Sequence, residues 1–152
     1  MRFVLVFIGI LGLDQLTKYL VRAYMEVNQS IPLIQNILHL SYVRNQGAAF
    51  GLFPGLQEIL MFSAIVVIIG VLIYIRKQQP PALTVFSLVL IAAGAAGNLI
   101  DRLVFNSVID FMDFRFWPVF NVADSSLVVG TILLAWLILF PRKEEHNGQS
   151  NS

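Results

Sequence analysis

Residues 120–140 read FNVADSSLVVGTILLAWLILF. The second half of this stretch decides the fold class. From Ser125 to Phe140 there is no charged side chain, which at 1.5 Å per residue gives a span of about 24 Å. That is close to the thickness of a bilayer's hydrocarbon core. The first half raises a chemical question, because Asp124 stands directly before the apolar run. Asn121 is a suitable N-cap, which puts Asp124 at the third helical position. There the helix dipole and free N–H groups favour an acid. A plain helix cap and a functional carboxylate fit this local pattern equally well.

The rest of the chain supports a membrane reading. Of 152 residues, 57% are hydrophobic and only 12% charged, and the mean hydropathy is +0.77. Soluble domains carry about twice that charge. The length suits one domain, expected over residues 1–143, with a polar tail at 144–152 expected to be disordered and cytoplasmic. A net charge of +1 gives no electrostatic footprint for nucleic acid. With no cysteine, there is no disulfide frame, thiol nucleophile or thiolate metal site.

Three further spans are expected over residues 3–23, 59–75 and 82–100. The first has no small-residue cleavage site after its apolar part, so it reads as an uncleaved helix. Arg2, Arg76-Lys77 and Arg142-Lys143 directly flank spans, which predicts both termini on the cytoplasmic side. With four spans, Asp14, Lys18, Asn98, Asp101, Arg102 and Asp124 then lie towards the opposite, outer face. So do both long connections. Chemistry is expected at the outer surface.

Five polar segments carry the candidate residues. Asp14 and Lys18 stand four apart and can pair across one helix turn, either as a structural ion pair or as the wall of a wet site. Asn45-Gln46-Gly47-Ala48-Ala49-Phe50-Gly51 follows a β-prone run and reads as strand, turn and second short strand. Its small residues would admit another backbone. A run of small residues, Ala92 to Gly97, suits close helix packing. Beyond it, Asn98, Asp101 and Arg102 share a helix face, where Asp101 and Arg102 could pair locally. Arg102 has a planar fork suited to carboxylate or phosphate. Asp110 and Asp113 point to opposite faces if their segment is extended, and to one face if it is helical. The last segment is Asn121-Val122-Ala123-Asp124.

No zinc-protease, Cys/His or phosphate-loop motif is present. The two histidines, His39 and His146, leave a histidine-centred triad without support. A Ser–Lys pair of Lys18 with Ser125 or Ser126 is formally open, but neither serine has a nucleophile context. What the outer face has in surplus is aspartate. Two aspartates sharing a proton form a general acid–base pair, and Asp110 with Asp124 could meet in this way.

Taken in order, Asp14-x-x-Thr17-Lys18, Asn45-x-Gly47-Ala48-Ala49-Phe50-Gly51, Gly97-Asn98-Leu99-Ile100-Asp101-Arg102, Val108-Ile109-Asp110-Phe111 and Phe120-Asn121-Val122-Ala123-Asp124 resemble the lipoprotein signal peptidases. These are also called signal peptidase II, a family of bacterial inner-membrane aspartyl endopeptidases. The resemblance covers all four spans. It departs at Ala93, where the family usually has the first of two glycines, and the loop 106–120 is short. The resemblance implies an all-α membrane protein of four transmembrane helices with both termini cytoplasmic, plus a small extracytoplasmic β-rich cradle and loop. Asp110 and Asp124 match the catalytic dyad. Asp14, Lys18, Asn45, Gly47, Asn98, Asp101, Arg102 and Asn121 match residues that support the dyad or touch substrate or inhibitor. No cofactor or metal is implied. The substrate is a prolipoprotein carrying a diacylglyceryl group on its lipobox cysteine, cut just before that cysteine. Other partners are membrane lipids and globomycin-type cyclic peptides.

On the physics of the site, Asp124 at a helix N-terminus is expected to carry the charge. Asp110, among Val108, Ile109 and Phe111, is expected to hold the proton more often. The alternative from another class is a channel or proton-conducting subunit with an acid-lined outer vestibule. It predicts polar residues in both halves of the membrane, and the cytoplasmic half of this sequence has almost none. A metal-dependent phospho-alcohol transferase would need its aspartates clustered on one segment. A presenilin-type protease would need Gly-x-Gly-Asp on a span.

Overall fold

The computed structural model describes residues 2–47 and 56–140. The expected turn and second strand after Gly47, and the expected tail at 144–152, lie outside these residues. The elements are α1 (Arg2–Tyr24), β1 (Ser30–Ile34), β2 (Leu38–Asn45), α2 (Leu56–Gln78), α3 (Ala82–Phe105), β3 (Val108–Asp113) and α4 (Val122–Leu139). All four helices are long and apolar enough to cross a membrane. Their outer faces expose Leu5, Ile8, Phe62, Ile69, Ile132 and other large apolar side chains. Monomeric soluble proteins rarely expose apolar surface so widely.

The spans run longer than expected from hydropathy. Helix α3 continues five residues beyond Ile100, to Phe105. Asp101 and Arg102 are therefore inside the helix, where Lys18 and the Ile109 N–H satisfy Asp101 although hydropathy alone would end the span. Asn106 then stops α3 with a left-handed cap (φ 56°), its N–H donating to the Arg102 carbonyl. An asparagine tolerates this conformation better than most residues.

Helix α3 is the hub, with α1, α2 and α4 packed round it. Its contact with α4 is made by small residues. A Cβ on Gly94 would collide with the Ala123 carbonyl oxygen, and Ser126 Oγ donates to the Leu90 carbonyl at 2.8 Å. Ala93 itself is fully buried, so the methyl that departs from the family pattern is accommodated. The backbone approach needs a glycine at Gly94.

The three strands form one antiparallel sheet in the order β1-β2-β3. Val21 of α1 packs with Tyr42, Ile109 and Phe111, which seats the sheet on the end of α1. Full burial of a side chain such as Ile109 contributes about 1.5–3 kcal/mol. Register shifts between Leu40 and Val43, opposite Met112 and Asp110. Three steps of β2 there answer two of β3. Such a bulge re-aims the side chains that follow it. Val43 faces Asp110, and Asn45, two residues on, shares that face.

Candidate active site

The site forms where α3, α4 and β3 converge. The segment around Asp110, left open by the sequence, is a strand. Asp110 and Asp113 therefore point to opposite faces. Asp113 accepts from Ser41 Oγ at 3.0 Å and pairs with Arg115 at 3.1 Å. Asp110 turns inward and is 2% exposed. Its Oδ1 accepts from Asn121 Nδ2 at 2.7 Å, and its Oδ2 from Asn45 Nδ2 at 2.9 Å.

Asn121 caps α4 as the sequence predicts. Its Oδ1 accepts from the Asp124 N–H at 2.9 Å, and Asp124 Oδ2 accepts from the Asn121 N–H at 3.2 Å. This is a reciprocal capping box. The same Asn121 side chain also reaches Asp110, so cap and site are one structure. Asn98 completes the link. Its Nδ2 donates to Asp124 Oδ1 at 2.7 Å, while its Oδ1 accepts from Asn121 Nδ2 at 3.1 Å. All four carboxylate oxygens of Asp110 and Asp124 thus accept from N–H donors. Asp124 is only half buried and is the more open of the two.

Burial pushes the Asp110 carboxyl up to about 6, against the hydrogen bond from Asn45, and the charge of Asp124 adds to the rise. Burial also acts on Asp113, but it is outweighed. The Arg115 N–H, the Ser41 hydroxyl and the Arg115 guanidinium hold that carboxyl below its usual range.

Beneath the dyad lies a buried charge cluster. Lys18 Nζ is 2.8 Å from Asp14 Oδ2, 3.0 Å from Asp101 Oδ2 and 3.1 Å from Asn98 Oδ1. Asp14 and Lys18 do pair across a helix turn, as expected. The ion-pair partner of Asp101 is Lys18. Lys18 is fully engaged, while Ser125 and Ser126 donate to the Asn121 and Leu90 carbonyls. No Ser–Lys pair forms. Arg102 reaches the Asn98 carbonyl only at 3.4 Å. Its buried Nε has no partner among the described residues, and its charge acts on Asp124 and Asp110. Gly47 turns with φ +78°, a conformation that side chains rarely adopt, and its N–H donates to Asn45 Oδ1 at 2.8 Å. That bond aims Asn45 at Asp110. The Ala48–Gly51 part of the motif lies outside the described residues.

Asp14, Lys18, Asn45, Gly47, Asn98, Asp101, Arg102, Asp110, Asn121 and Asp124 are therefore all drawn into one network. Sequence reasoning missed Gln15. Its Nε2 contacts Asp14 Oδ2 at 3.1 Å, Asp101 Oδ1 at 3.2 Å and the Gly97 carbonyl at 3.2 Å. The available signal was an amide inside an apolar span, beside two charged residues. Also invisible in the sequence were two backbone donors. Ala123 N–H bonds Asp14 Oδ1 at 2.9 Å, and Ile109 N–H bonds Asp101 Oδ2 at 3.1 Å.

Comparison with known proteins identifies the family. The family model for signal peptidase (SPase) II matches residues 6–140. The lipoprotein signal peptidase of Halothermothrix orenii is 47% identical over 97% of this chain and 99% of its own length. That of Moorella thermoacetica is 44% identical over 95% and 97%. Two solved structures of a bacterial membrane enzyme, determined by the in meso method, superpose with TM-scores of 0.84 and 0.86. They are 30% and 31% identical, over 99% and 93% of this chain and 93% and 94% of theirs. A channel finds no support among these relatives. The chain belongs to the signal peptidase II family of membrane peptidases.

Proposed function

We propose that this protein is an aspartyl endopeptidase that removes the signal peptide from diacylglyceryl-modified prolipoproteins, with Asp110 and Asp124 as its catalytic dyad. The observation that carries the dyad is the Asn121 side chain, which bonds Asp110 Oδ1 and the Asp124 N–H at once. Asp124, the more open acid, is the base. It takes a proton from water as the oxygen attacks the scissile carbonyl carbon. Asp110, buried and protonated below about 6, gives its proton to the carbonyl oxygen. On collapse, the carbonyl re-forms, its proton returns to Asp110, and Asp124 protonates the leaving cysteine nitrogen. Water is split across the bond and both acids recover their starting states. Arg102, whose charge acts on both acids and whose Nε has no partner among the described residues, is the candidate to hold a substrate carbonyl. Asp14, Lys18, Asn45, Gly47, Asn98, Asp101 and Asn121 support the pair.

The active end is extracytoplasmic in this reading, with both termini in the cytoplasm. Arg2, Arg76 and Lys77 directly flank the opposite ends of the spans, which favours this orientation, whereas Lys18, Arg22, Arg44, Arg102 and Arg115 on the outer side are embedded among acids or polar motifs. The diacylglyceryl anchor then brings the scissile bond to the depth at which α4 begins. The dyad is also the natural target of a globomycin-type cyclic peptide. The test is cleavage by the purified chain in lipid. A diacylglyceryl prolipoprotein should be cut before its cysteine and the unlipidated precursor spared, with chelator making no difference. Cleavage elsewhere, or equal cleavage of both, contradicts the reading. Sidedness has its own test, because the chain lacks cysteine. An impermeant maleimide added outside the cell should label Asn36→Cys and not Gln79→Cys.

A further inference from the structure

Lys18 is 1% exposed, inside an apolar span. Its three ammonium hydrogens have three acceptors, and each acceptor leads to the dyad. Asn98 Oδ1 accepts from it, and Asn98 Nδ2 holds Asp124 Oδ1 at 2.7 Å. Asp14 accepts from Lys18 through Oδ2 and, through Oδ1, holds the N–H of Ala123 at 2.9 Å. Ala123 is the residue before Asp124. Asp101 takes Lys18 through Oδ2, which also holds the N–H of Ile109 at 3.1 Å. Ile109 is the residue before Asp110. Each dyad acid thus follows a backbone amide gripped by another buried aspartate, and both grips meet on one ammonium. Gln15 makes a second bridge. Its Nε2 lies 3.1 Å from Asp14 Oδ2 and 3.2 Å from Asp101 Oδ1.

The physical consequence concerns distance. Asp110 sits on a strand and Asp124 at a helix start, and chain connectivity alone does not set their separation. Asn121 links the two acids directly from the side-chain side, and the two gripping carboxylates hold the backbone before each acid. As like charges in a buried site, these carboxylates would repel if nothing bridged them. Building on the dyad reading above, we propose that Lys18, backed by Gln15, is a positioning residue. It sets the approach of Asp110 to Asp124 through the backbone, by fixing the two carboxylates that hold Ala123 and Ile109. Neither side chain touches the reacting atoms in this account.

The test compares Lys18→Met and Gln15→Leu with the parent, using the full chain in lipid and a diacylglyceryl prolipoprotein. A misplacement of about 1 Å costs about 100-fold in rate. Lys18→Met should therefore lose about that factor in kcat, with KM within about threefold. Gln15→Leu keeps the charge balance and one bridge, so a loss of about tenfold in kcat is expected. It also supplies a readout that a loss of folded protein would not move. The groups that act on Asp110 are Asp124 from α4 and Asn121 at its N-cap, Arg102 from α3, Lys18 from α1 and Asn45 from β2. Of these, Asp124 raises its affinity for a proton while Asn45, Asn121 and Lys18 lower it, so the pH limb is read in Gln15→Leu, which keeps Lys18. If the acids drift apart, that repulsion weakens and the upper limb of the kcat/KM–pH profile moves to lower pH. Should Lys18→Met fail to fold, Gln15→Leu decides alone. Parent-like kcat in folded variants overturns the proposal. So does activity lost only in proportion to folded protein, with the pH limb unmoved. Asp110→Asn and Asp124→Asn run in parallel. If either stays active, the dyad reading itself fails, whatever Lys18 and Gln15 do.

Discussion

Asp110 and Asp113 stand three residues apart on one six-residue strand, and the two faces of that strand have made them different acids. Asp110 looks into the helix ends, where burial and the charge of Asp124 lift it to about 6. Asp113 looks the other way, where Arg115 and Ser41 hold it below its usual range. The same residue type on the same element gives one carboxyl raised and one lowered. Deeper burial and the identity of the neighbours separate them. Asp110 is held by neutral amides and faces another acid, and Asp113 is held by Ser41 and by the backbone and guanidinium of Arg115.

The sharpest way to break this contrast is to neutralise each acid in turn. Asp110→Asn should lower kcat by about 10³-fold or more, the scale of lost general acid–base catalysis. Asp113→Asn should stay within about threefold of the parent, since a residue outside the machinery contributes no such term. The double variant Asp110→Asn/Asp124→Asn should be no slower than either single, because groups acting as a unit are not additive. Single-turnover cleavage measures all four.

A smaller effect is expected from the amide that holds Asp110. Asn45 donates to it and so favours the charged form. Replacing Asn45 with Leu should raise the upper limb of the kcat/KM–pH profile above about 6, where the parent's limb belongs. The sign follows from the proposed mechanism, in which Asp110 acts while protonated and activity falls as pH rises through its pKa. A limb that stays put would mean that Asn45 does not act on the acid.

Stability should separate the two faces with opposite signs. Asp110 has a folded pKa above its unfolded value, so its contribution is fully present below about 3.8 and is lost as pH rises through about 6. Between pH 4 and pH 8, Asp110→Asn should therefore gain on the parent by up to about 3 kcal/mol. Asp113 is depressed, so its contribution is present above about 3.8 and is lost as pH falls through the lower folded value. The parent's advantage over Asp113→Asn should shrink on acidification. Thermal unfolding in detergent across this range gives both slopes. Parallel slopes would erase the contrast.

The sequence made the four spans and the α4 cap legible because both rest on local rules, apolar run length and the N-cap pattern around Asn121. The candidate site was legible mainly as a set of ordered motifs. The residues alone left Asp110 and Asp113 equivalent, because parity distinguishes them only once the segment is known to be a strand. The bulge between Leu40 and Val43, which carries Asn45 onto the face of Asp110, depends on pairing between distant segments and has no local signal. The grips on Ala123 and Ile109 use backbone donors, which every residue but proline possesses. Gln15 looked like one more polar residue in a polar motif. Only tertiary placement shows that it bridges two helices.

The central claim is that Asp110, coupled to Asp124, holds the working proton of the site. Carbon-13 NMR of aspartate-labelled protein in lipid reads it directly. The parent should show one carboxyl titrating near about 6. That signal should vanish in Asp110→Asn, survive in Asp113→Asn, and move to lower pH in Asp124→Asn, where the repelling charge is gone. A signal near 6 that persists in Asp110→Asn, or is indifferent to the loss of Asp124, would contradict the account.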